Sequence, residues 1–229
     1  MKKVLVLEDE PGIRSFVVIN LKRSGYYPIE AESGEEAMDL IAKHPDIAIA
    51  LLDVMLPDID GFEVCRRIRA SGSRMGVIML TAMSQEMDKL TGLMTGADDY
   101  ITKPFSPAEL IARVDAVFRR VENKTETEEE TELCYGPFTM NVRNRTLEKN
   151  GQRKRLTQTE FAIMNLFMEN VGKALSRDDI LVSVWGAEYT GELKIVDVNI
   201  RRLRMKIEDD PTYPTYITTV WGYGYKWGS

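Results

Sequence analysis

The 229 residues are 44% hydrophobic and 29% charged, a composition that suits one large globular domain or two of ordinary size. No apolar run approaches the ~18 residues of a membrane span, and Glu8-Asp9-Glu10 ends the apolar start at Val4–Leu7 too early for a signal sequence, so no membrane partner and a cytoplasmic location are expected. The net charge of −6 is unevenly spread: residues 1–121 hold 15 Lys+Arg against 19 Asp+Glu, residues 122–132 one against six, and residues 133–229 14 against 11, an asymmetry that points to nucleic acid.

Cys65 and Cys134 lie far apart without CxxC spacing, so zinc and redox motifs are excluded and both are expected as small buried residues. His44 is the one histidine, beside Pro45 at an expected helix end. Histidine-based catalysis is therefore unavailable, which leaves carboxylates, Lys, Thr or a metal held by oxygen ligands.

Lys3–Leu7 reads as a short buried strand with Glu8-Asp9-Glu10-Pro11 at its end. Ile13, Phe16, Val17 and Leu21 give a helix that Gly25 stops. Tyr26–Ala31 is a second strand, and Ser33-Gly-Glu-Glu36 opens a helix with a capping-box pattern. Ile47–Asp53 is too short to span a membrane and suits a strand buried on both faces, with Pro57 and Gly61 as loop punctuation. A helix across Phe62, Val64 and Ile68 follows, then the strand Gly76–Thr81, a strand over Asp99–Pro104, and a closing helix through Leu110, Ile111, Val114, Val117 and Phe118.

Strand and helix thus alternate five times, the pattern of an α/β fold with a doubly wound five-stranded parallel sheet of flavodoxin type. In such a sheet the carboxyl ends of the strands gather along one edge, here Glu8, Asp9, Asp53, Thr81 and Lys103. Alone, Asp53 would read as a turn residue. Carboxylates held close together repel one another, and a divalent cation relieves the repulsion; all-oxygen ligation suits Mg²⁺. Asp53 can then attack phosphorus as a carboxylate nucleophile, with Mg²⁺, the Lys103 ammonium and the Thr81 hydroxyl neutralising the phosphoryl oxygens. The added charge makes the site a switch.

Residues 1–121 resemble the receiver domain of a two-component response regulator through Leu-Glu-Asp-Glu-Pro (7–11), Leu-Leu-Asp-Val-Met-Leu-Pro-Asp-Ile-Asp-Gly (51–61), Leu-Thr-Ala (80–82) and Gly-Ala-Asp-Asp-Tyr-Ile-Thr-Lys-Pro-Phe (96–105). The resemblance implies that Asp53 is the phosphoacceptor, and that Asp9 and Asp53 bind Mg²⁺ directly with the Met55 backbone carbonyl as a further ligand. Glu8 completes the acidic cluster through water. Thr81 and Tyr100 become the switch pair, Lys103 the phosphate clamp, and Lys103–Pro104 a cis bond. The phosphodonor is a phosphohistidine on a sensor kinase, and the only reactions expected of the chain are phosphorylation and dephosphorylation of its own Asp53.

Residues 122–132 read as an acidic, extended, flexible linker. Beyond it, β-prone pieces around 138–142, 145–148 and 153–156 suggest a small antiparallel sheet. Leu156-Thr-Gln-Thr-Glu160 and Ser176-Arg-Asp-Asp-Ile180 open two helices, the second ending at Trp185-Gly186. A helix over residues 195–208 sets Val196, Ile200, Leu203 and Ile207 on one face and Lys194, Asn199, Arg201, Arg202, Arg204 and Lys206 on the other. A hairpin over Tyr216–Trp227, with Gly222 and Gly224 in its turn, completes a winged helix-turn-helix domain at 133–229.

This segment resembles the OmpR/PhoB-type effector domain through Leu-Thr-Gln-Thr-Glu-Phe (156–161), Val-Asp-Val-Asn-Ile-Arg-Arg-Leu-Arg (196–204) and Gly-Tyr-Gly-Tyr (222–225). It implies base contacts from Asn199 and Arg202, with Arg201, Arg204 and Lys194 nearer phosphate. Trp221 stands where many relatives have an Arg, which takes a charge out of the wing. The family pairs its receivers through charged residues, matched here by Lys89, Asp98, Asp99, Glu109, Arg113 and Arg120. The expectation is a phosphorylation-controlled transcription regulator that dimerises on direct-repeat promoter DNA and meets RNA polymerase there. An aspartyl-phosphate hydrolase is the enzyme alternative, but it would need an acid where Met55 stands. A constitutive DNA binder with a scaffolding receiver is the third reading.

Overall fold

The computed structural model describes residues 2–82, 96–122, 132–187, 189 and 191–228. The chain divides into two compact units, residues 1–121 and 122–229. Most of the expected linker, residues 123–131, lies outside the described residues.

The first unit runs β1 (Lys2–Leu7), α1 (Pro11–Arg23), β2 (Tyr26–Ala31), α2 (Gly34–Lys43), β3 (Ile47–Asp53), α3 (Gly61–Ala70), β4 (Gly76–Thr81), β5 (Asp99–Thr102) and α4 (Pro107–Glu122). Its sheet is parallel, in the order β2-β1-β3-β4-β5. The central strands are buried almost throughout, whereas β2 at the edge alternates buried and exposed residues and tolerates Pro28, which has no N–H for a further strand. Val4, Val6, Ile49, Leu51, Ile78 and Leu80 form one core with Val17 and Leu21 of α1 and Leu110, Val114 and Val117 of α4. Each helix start has a local cause. Pro11 opens α1, Ser33 accepts from the Glu36 N–H, Asp60 accepts from the Glu63 N–H, and Ser106 accepts from the Glu109 N–H.

The second unit begins with an antiparallel meander of β6 (Glu132–Tyr135), β7 (Phe138–Asn141), β8 (Thr146–Lys149) and β9 (Gln152–Lys154). Then come α5 (Gln158–Glu169), β10 (Ala174–Ser176), α6 (Arg177–Trp185), α7 (Lys194–Ile207) and the hairpin of β11 (Ile217–Val220) and β12 (Gly224–Trp227). Thr157 with Glu160 and Ser176 with Asp179 form full capping boxes on α5 and α6. Phe138, Tyr216 and Trp227 build an aromatic core, with ring centroids of Phe138 4.7 Å from Tyr216 and 5.2 Å from Trp227.

Several sequence expectations need correction. β6 and β10 were not foreseen, and Glu132, expected as linker, begins β6. Cys134 is exposed, not buried, because the alternation of β6 turns residues 132 and 134 outward; Cys65 is buried as expected. Only Gly222 lies in the hairpin turn, at φ +71°. Gly224 is within β12, where a Cβ would stand 2.1 Å from the Leu175 carbonyl oxygen, so its bare backbone permits the pairing of β10 with β12.

Candidate functional site

The carboxyl ends of β1, β3, β4 and β5 converge because all run the same way, and they bring together Glu8, Asp9, Asp53, Thr81 and Lys103. Glu8, Asp9 and Asp53 can each offer one carboxylate oxygen, with all three oxygens within 4.8 Å of one another. Glu8 and Asp53 are buried and Asp9 is exposed, so the cluster opens to solvent on the Asp9 side. The Lys103 Nζ bridges the buried pair, donating to the Glu8 Oε2 at 2.7 Å and lying 3.0 Å from the Asp53 Oδ2. Thr81 is fully buried; its carbonyl accepts the Lys103 N–H and so ties the end of β4 to the loop that carries the lysine. The Lys103–Pro104 bond is cis.

Burial pushes the Glu8 carboxyl up to about 6, against the opposing hydrogen bond from Lys103 and with a further push from the Asp53 charge. For Lys103, burial works against the ammonium, but its hydrogen bonds to Glu8 and Asp53 outweigh burial and hold its pKa above the ordinary value. The Glu8 Oε1 is buried without a hydrogen-bond partner. An orphaned acceptor among three carboxylates and one lysine has the donor chemistry of a hard divalent cation site, so the residues fit a metal such as Mg²⁺.

Supporting contacts fix this edge. Arg14, nearly buried, donates to the Glu8 carbonyl at 2.8 Å and the Asp9 carbonyl at 3.3 Å, and pairs with Glu32 at 2.7 Å. Asp58, just past Asp53, accepts the N–H groups of Gly34 and Glu35 and so joins its loop to the start of α2. Backbone hydrogen bonding from those groups outweighs the effect of burial and holds the Asp58 carboxyl below its usual range. The roles of Arg14 and Asp58 were missed by sequence reasoning, which had no signal for a guanidinium donating to distant carbonyls or a carboxylate accepting distant N–H groups. Tyr100 is buried on β5, and the Met55 side chain is exposed while its N–H reaches the Asp53 Oδ1 at 3.4 Å. A groove lined by Glu10, Gly12, Ile13, Phe16, Pro104 and Phe105 opens beside Lys103.

The charges expected on a pairing face are mostly spent inside the unit. Asp98 is buried and bonded to Arg69 at 2.7 Å and to the Val77 N–H at 2.9 Å. Asp99 is buried against Arg113, which also holds Glu109 at 2.8 Å, and Arg120 is buried. A carboxylate taken out of water needs such a partner, which is why these side chains turn inward. Lys89 lies outside the described residues.

The second unit requires a similar correction. On α7, Arg201 is exposed and Lys194 partly so, but Asn199 and Arg202 are 0% and 3% exposed and do not face outward. The helix packs against both α5 and α6, so its buried arc is wider than its apolar stripe. The Asn199 amide donates to the Ile195 carbonyl one turn back. Arg204 is also committed, donating to the Ile217 carbonyl at 2.9 and 2.6 Å and to the Thr219 Oγ1 at 3.0 Å, and burial lowers its pKa. A second tie joins the hairpin to α7: the Tyr225 hydroxyl donates to the Asp197 Oδ1 at 2.7 Å, where Arg177 of α6 also donates at 2.8 Å. Burial first, then that hydrogen bond, pushes Tyr225 up to about 12.

The family model described as the response regulator receiver domain matches residues 4–115. The one described as the C-terminal part of transcriptional regulatory proteins matches residues 151–227. Among solved structures, the chain is similar to two mutant forms of RitR at 28% identity over 99% of both chains, with TM-scores of 0.77 and 0.78. It is also similar to DrrB, a response regulator and OmpR/PhoB homolog of Thermotoga maritima, at 35% identity over 100% of both chains, with a TM-score of 0.51. No helix among the described residues is long and apolar enough to cross a membrane.

Proposed function

Since the chain belongs to the two-component response regulators, with a receiver and an OmpR/PhoB-type DNA-binding domain, we propose that Asp53 is its phosphoacceptor and Mg²⁺ its cofactor. It is a transcriptional regulator controlled by phosphorylation and not a classical enzyme. The observation that carries the proposal is the Lys103 ammonium held between Glu8 and Asp53 beside an orphaned carboxylate oxygen.

Asp9 and Asp53 would hold Mg²⁺ directly with the Met55 carbonyl, and Glu8 would complete the set through water. The cation would supply charge neutralisation for an incoming phosphoryl group. Asp53 forms the new P–O bond with one carboxylate oxygen while the donor's phosphorus–nitrogen bond breaks. Lys103 steadies a phosphoryl oxygen, Thr81 donates its hydroxyl to another, and Tyr100 on β5 answers the movement of Thr81. The donor is a phosphohistidine of a sensor kinase, and hydrolysis of the acyl phosphate resets the site.

The output would be promoter DNA read by α7 from its exposed side, which carries Arg201 and the partly exposed Lys194. Binding to direct repeats as a homodimer, contact with RNA polymerase and a cytoplasmic location complete the proposal. The division into a receiver, an acidic linker between Glu122 and Glu132, and an effector domain that begins at β6 also belongs to it. Pairing of receivers through Lys89, Asp98, Asp99, Glu109, Arg113 and Arg120 is part of the same proposal. Acetyl phosphate with Mg²⁺ should add one phosphoryl group to the wild-type chain and none to Asp53→Ala, read by intact mass. Equal modification of both proteins would refute the assignment.

A further inference from the structure

We propose that Arg14 is a positioning residue for the divalent cation, its guanidinium holding the main chain of Glu8 and Asp9 so that their carboxylates keep a metal-binding array. The site's affinity for the cation then depends on a residue that bears the cation's own sign of charge. The proposal rests on the metal reading above and adds what sets that affinity.

The carbonyls it holds lie in a gap between sheet and helix. The ladder of β1 ends at Leu7, which pairs with Ala31 of β2 and Leu52 of β3, and the Glu8 N–H still reaches the Ala31 carbonyl at 3.2 Å. Further on, the Arg14 N–H bonds to the Glu10 carbonyl at 3.0 Å as α1 begins. Between these two points the Arg14 Nη1 donates to the Glu8 and Asp9 carbonyls at 2.8 and 3.3 Å, so one nitrogen ties both residues. The Nη2 donates to the Glu32 Oε1 at 2.7 Å and the Nε lies 3.7 Å from the Glu30 Oε2, which fixes the fork from the β2 side. The turn that follows Glu32 also gives the Gly34 and Glu35 N–H groups to Asp58, at 3.0 and 2.9 Å. The loop after Asp53 is therefore backed by the same turn that backs Arg14.

Charge and position pull in opposite directions. Among the described residues, the hydrogen bonds and ion pairs of Arg14 go to the two carbonyls, Glu30 and Glu32, and none goes to the carboxylates of Glu8, Asp9 or Asp53. A guanidinium beside a cation site repels the cation, and its loss would also leave Glu30 and Glu32 unpaired. By charge alone, removing Arg14 therefore tightens the cation. By position it does the reverse. The Asp9 carboxylate is exposed, so it can turn to water once its main chain is loose. Outer partners that orient metal ligands are worth roughly 10–100-fold in affinity. The task also suits Arg better than Lys, because a planar fork serves carbonyls on one side and a carboxylate on the other, whereas an ammonium is a point charge.

The test uses the full, unphosphorylated chain and Mn²⁺, an ion that accepts the same oxygen ligands and whose free form is counted by electron paramagnetic resonance. Arg14→Ala should weaken Mn²⁺ binding about tenfold, and Arg14→Lys, which keeps the charge and loses the fork, about threefold. The Mg²⁺ midpoint of acetyl-phosphate labelling should rise by the same factors, with the rate at saturating Mg²⁺ within about twofold of wild type. Circular dichroism identifies a variant that has not folded; if Arg14→Ala is one, Arg14→Lys decides. Binding equal to or tighter than wild type in a folded variant overturns the proposal, since that is the outcome of charge alone. A chain that folds with neither substitution makes Arg14 a folding residue and overturns it too. Asp9→Asn losing Mn²⁺ in the same assay would show that the metal reading survives. A wild-type chain that takes up no Mn²⁺, or an Asp9→Asn chain that binds it as well as wild type, refutes the metal reading itself.

Discussion

Gly61→Ala sets a gain in helix propensity against a collision between backbones, and the distances decide for the collision. Gly61 opens α3, and a Cβ there would lie 2.0 Å from the Asp53 carbonyl oxygen, 2.9 Å from the Asp53 carbonyl carbon and 3.2 Å from the Met79 Cε. Neither backbone yields easily. Asp53 ends a strand hydrogen-bonded within the sheet, and the Gly61 N–H is itself bonded to the Val54 carbonyl at 3.2 Å. The start of α3 must move by about an ångström or more to restore ordinary contact, and overpacking of this kind costs about 1–3 kcal/mol. Ala in place of Gly returns at most ~1 kcal/mol in a helix. The net loss of about 1–2 kcal/mol, at a urea dependence of about 2 kcal/mol per molar, lowers the midpoint of the first unit by roughly 0.5–1 M. Urea unfolding followed by circular dichroism measures it, and acetyl-phosphate labelling should slow because the strained carbonyl belongs to Asp53. A midpoint equal to or above wild type, with labelling intact, would refute this account of the site's packing.

Three further outcomes follow from contacts described above. Asn199→Ala should leave DNA affinity within about twofold of wild type, whereas Arg201→Ala should weaken it; filter binding separates them, and a large loss from Asn199→Ala alone would contradict its burial. Tyr225→Phe should cost about 1–3 kcal/mol at neutral pH by removing a hydrogen bond to the Asp197 carboxylate. Since the folded-state pKa of Tyr225 is raised to about 12, that stability is fully present below about pH 10 and is lost as pH rises through about 12. Alkaline absorbance titration should show one late transition missing from the variant, and an identical titration curve would contradict the buried hydroxyl. Finally, a thiol reagent should modify Cys134 at once and Cys65 only on unfolding. Two fast-reacting thiols would be inconsistent with the packing of α3.

The receiver site was legible because its evidence is short-range: an apolar run ends in Asp53, and the parallel arrangement then forces Glu8, Asp9, Thr81 and Lys103 to the same edge. Helix starts at Ser33, Thr157 and Ser176 were equally plain, since a cap and the N–H that donates to it are three residues apart. What escaped was decided at a distance. Asn199 sits about 60° round the helix from Val196, on the flank of the apolar stripe, and only the packing of both α5 and α6 makes that flank interior. Arg204 looked like a phosphate ligand until β11 supplied the Ile217 carbonyl. Asp98 looked like a surface charge until Arg69, on α3, proved to be its partner. β6 and β10 are short strands whose existence depends on β7 and β12, and nothing local announces them.

The sheets have a consequence for how such chains diversify. All five strands of the first unit find their partners within residues 1–121, and β6 pairs with β7 inside the second. No ladder hydrogen bond crosses the joint among the described residues. Gene fusion at the acidic segment can therefore exchange one output module for another without leaving an edge unzipped in either half. The phosphate chemistry proposed for Asp53 would be inherited unchanged while the genes under its control are replaced.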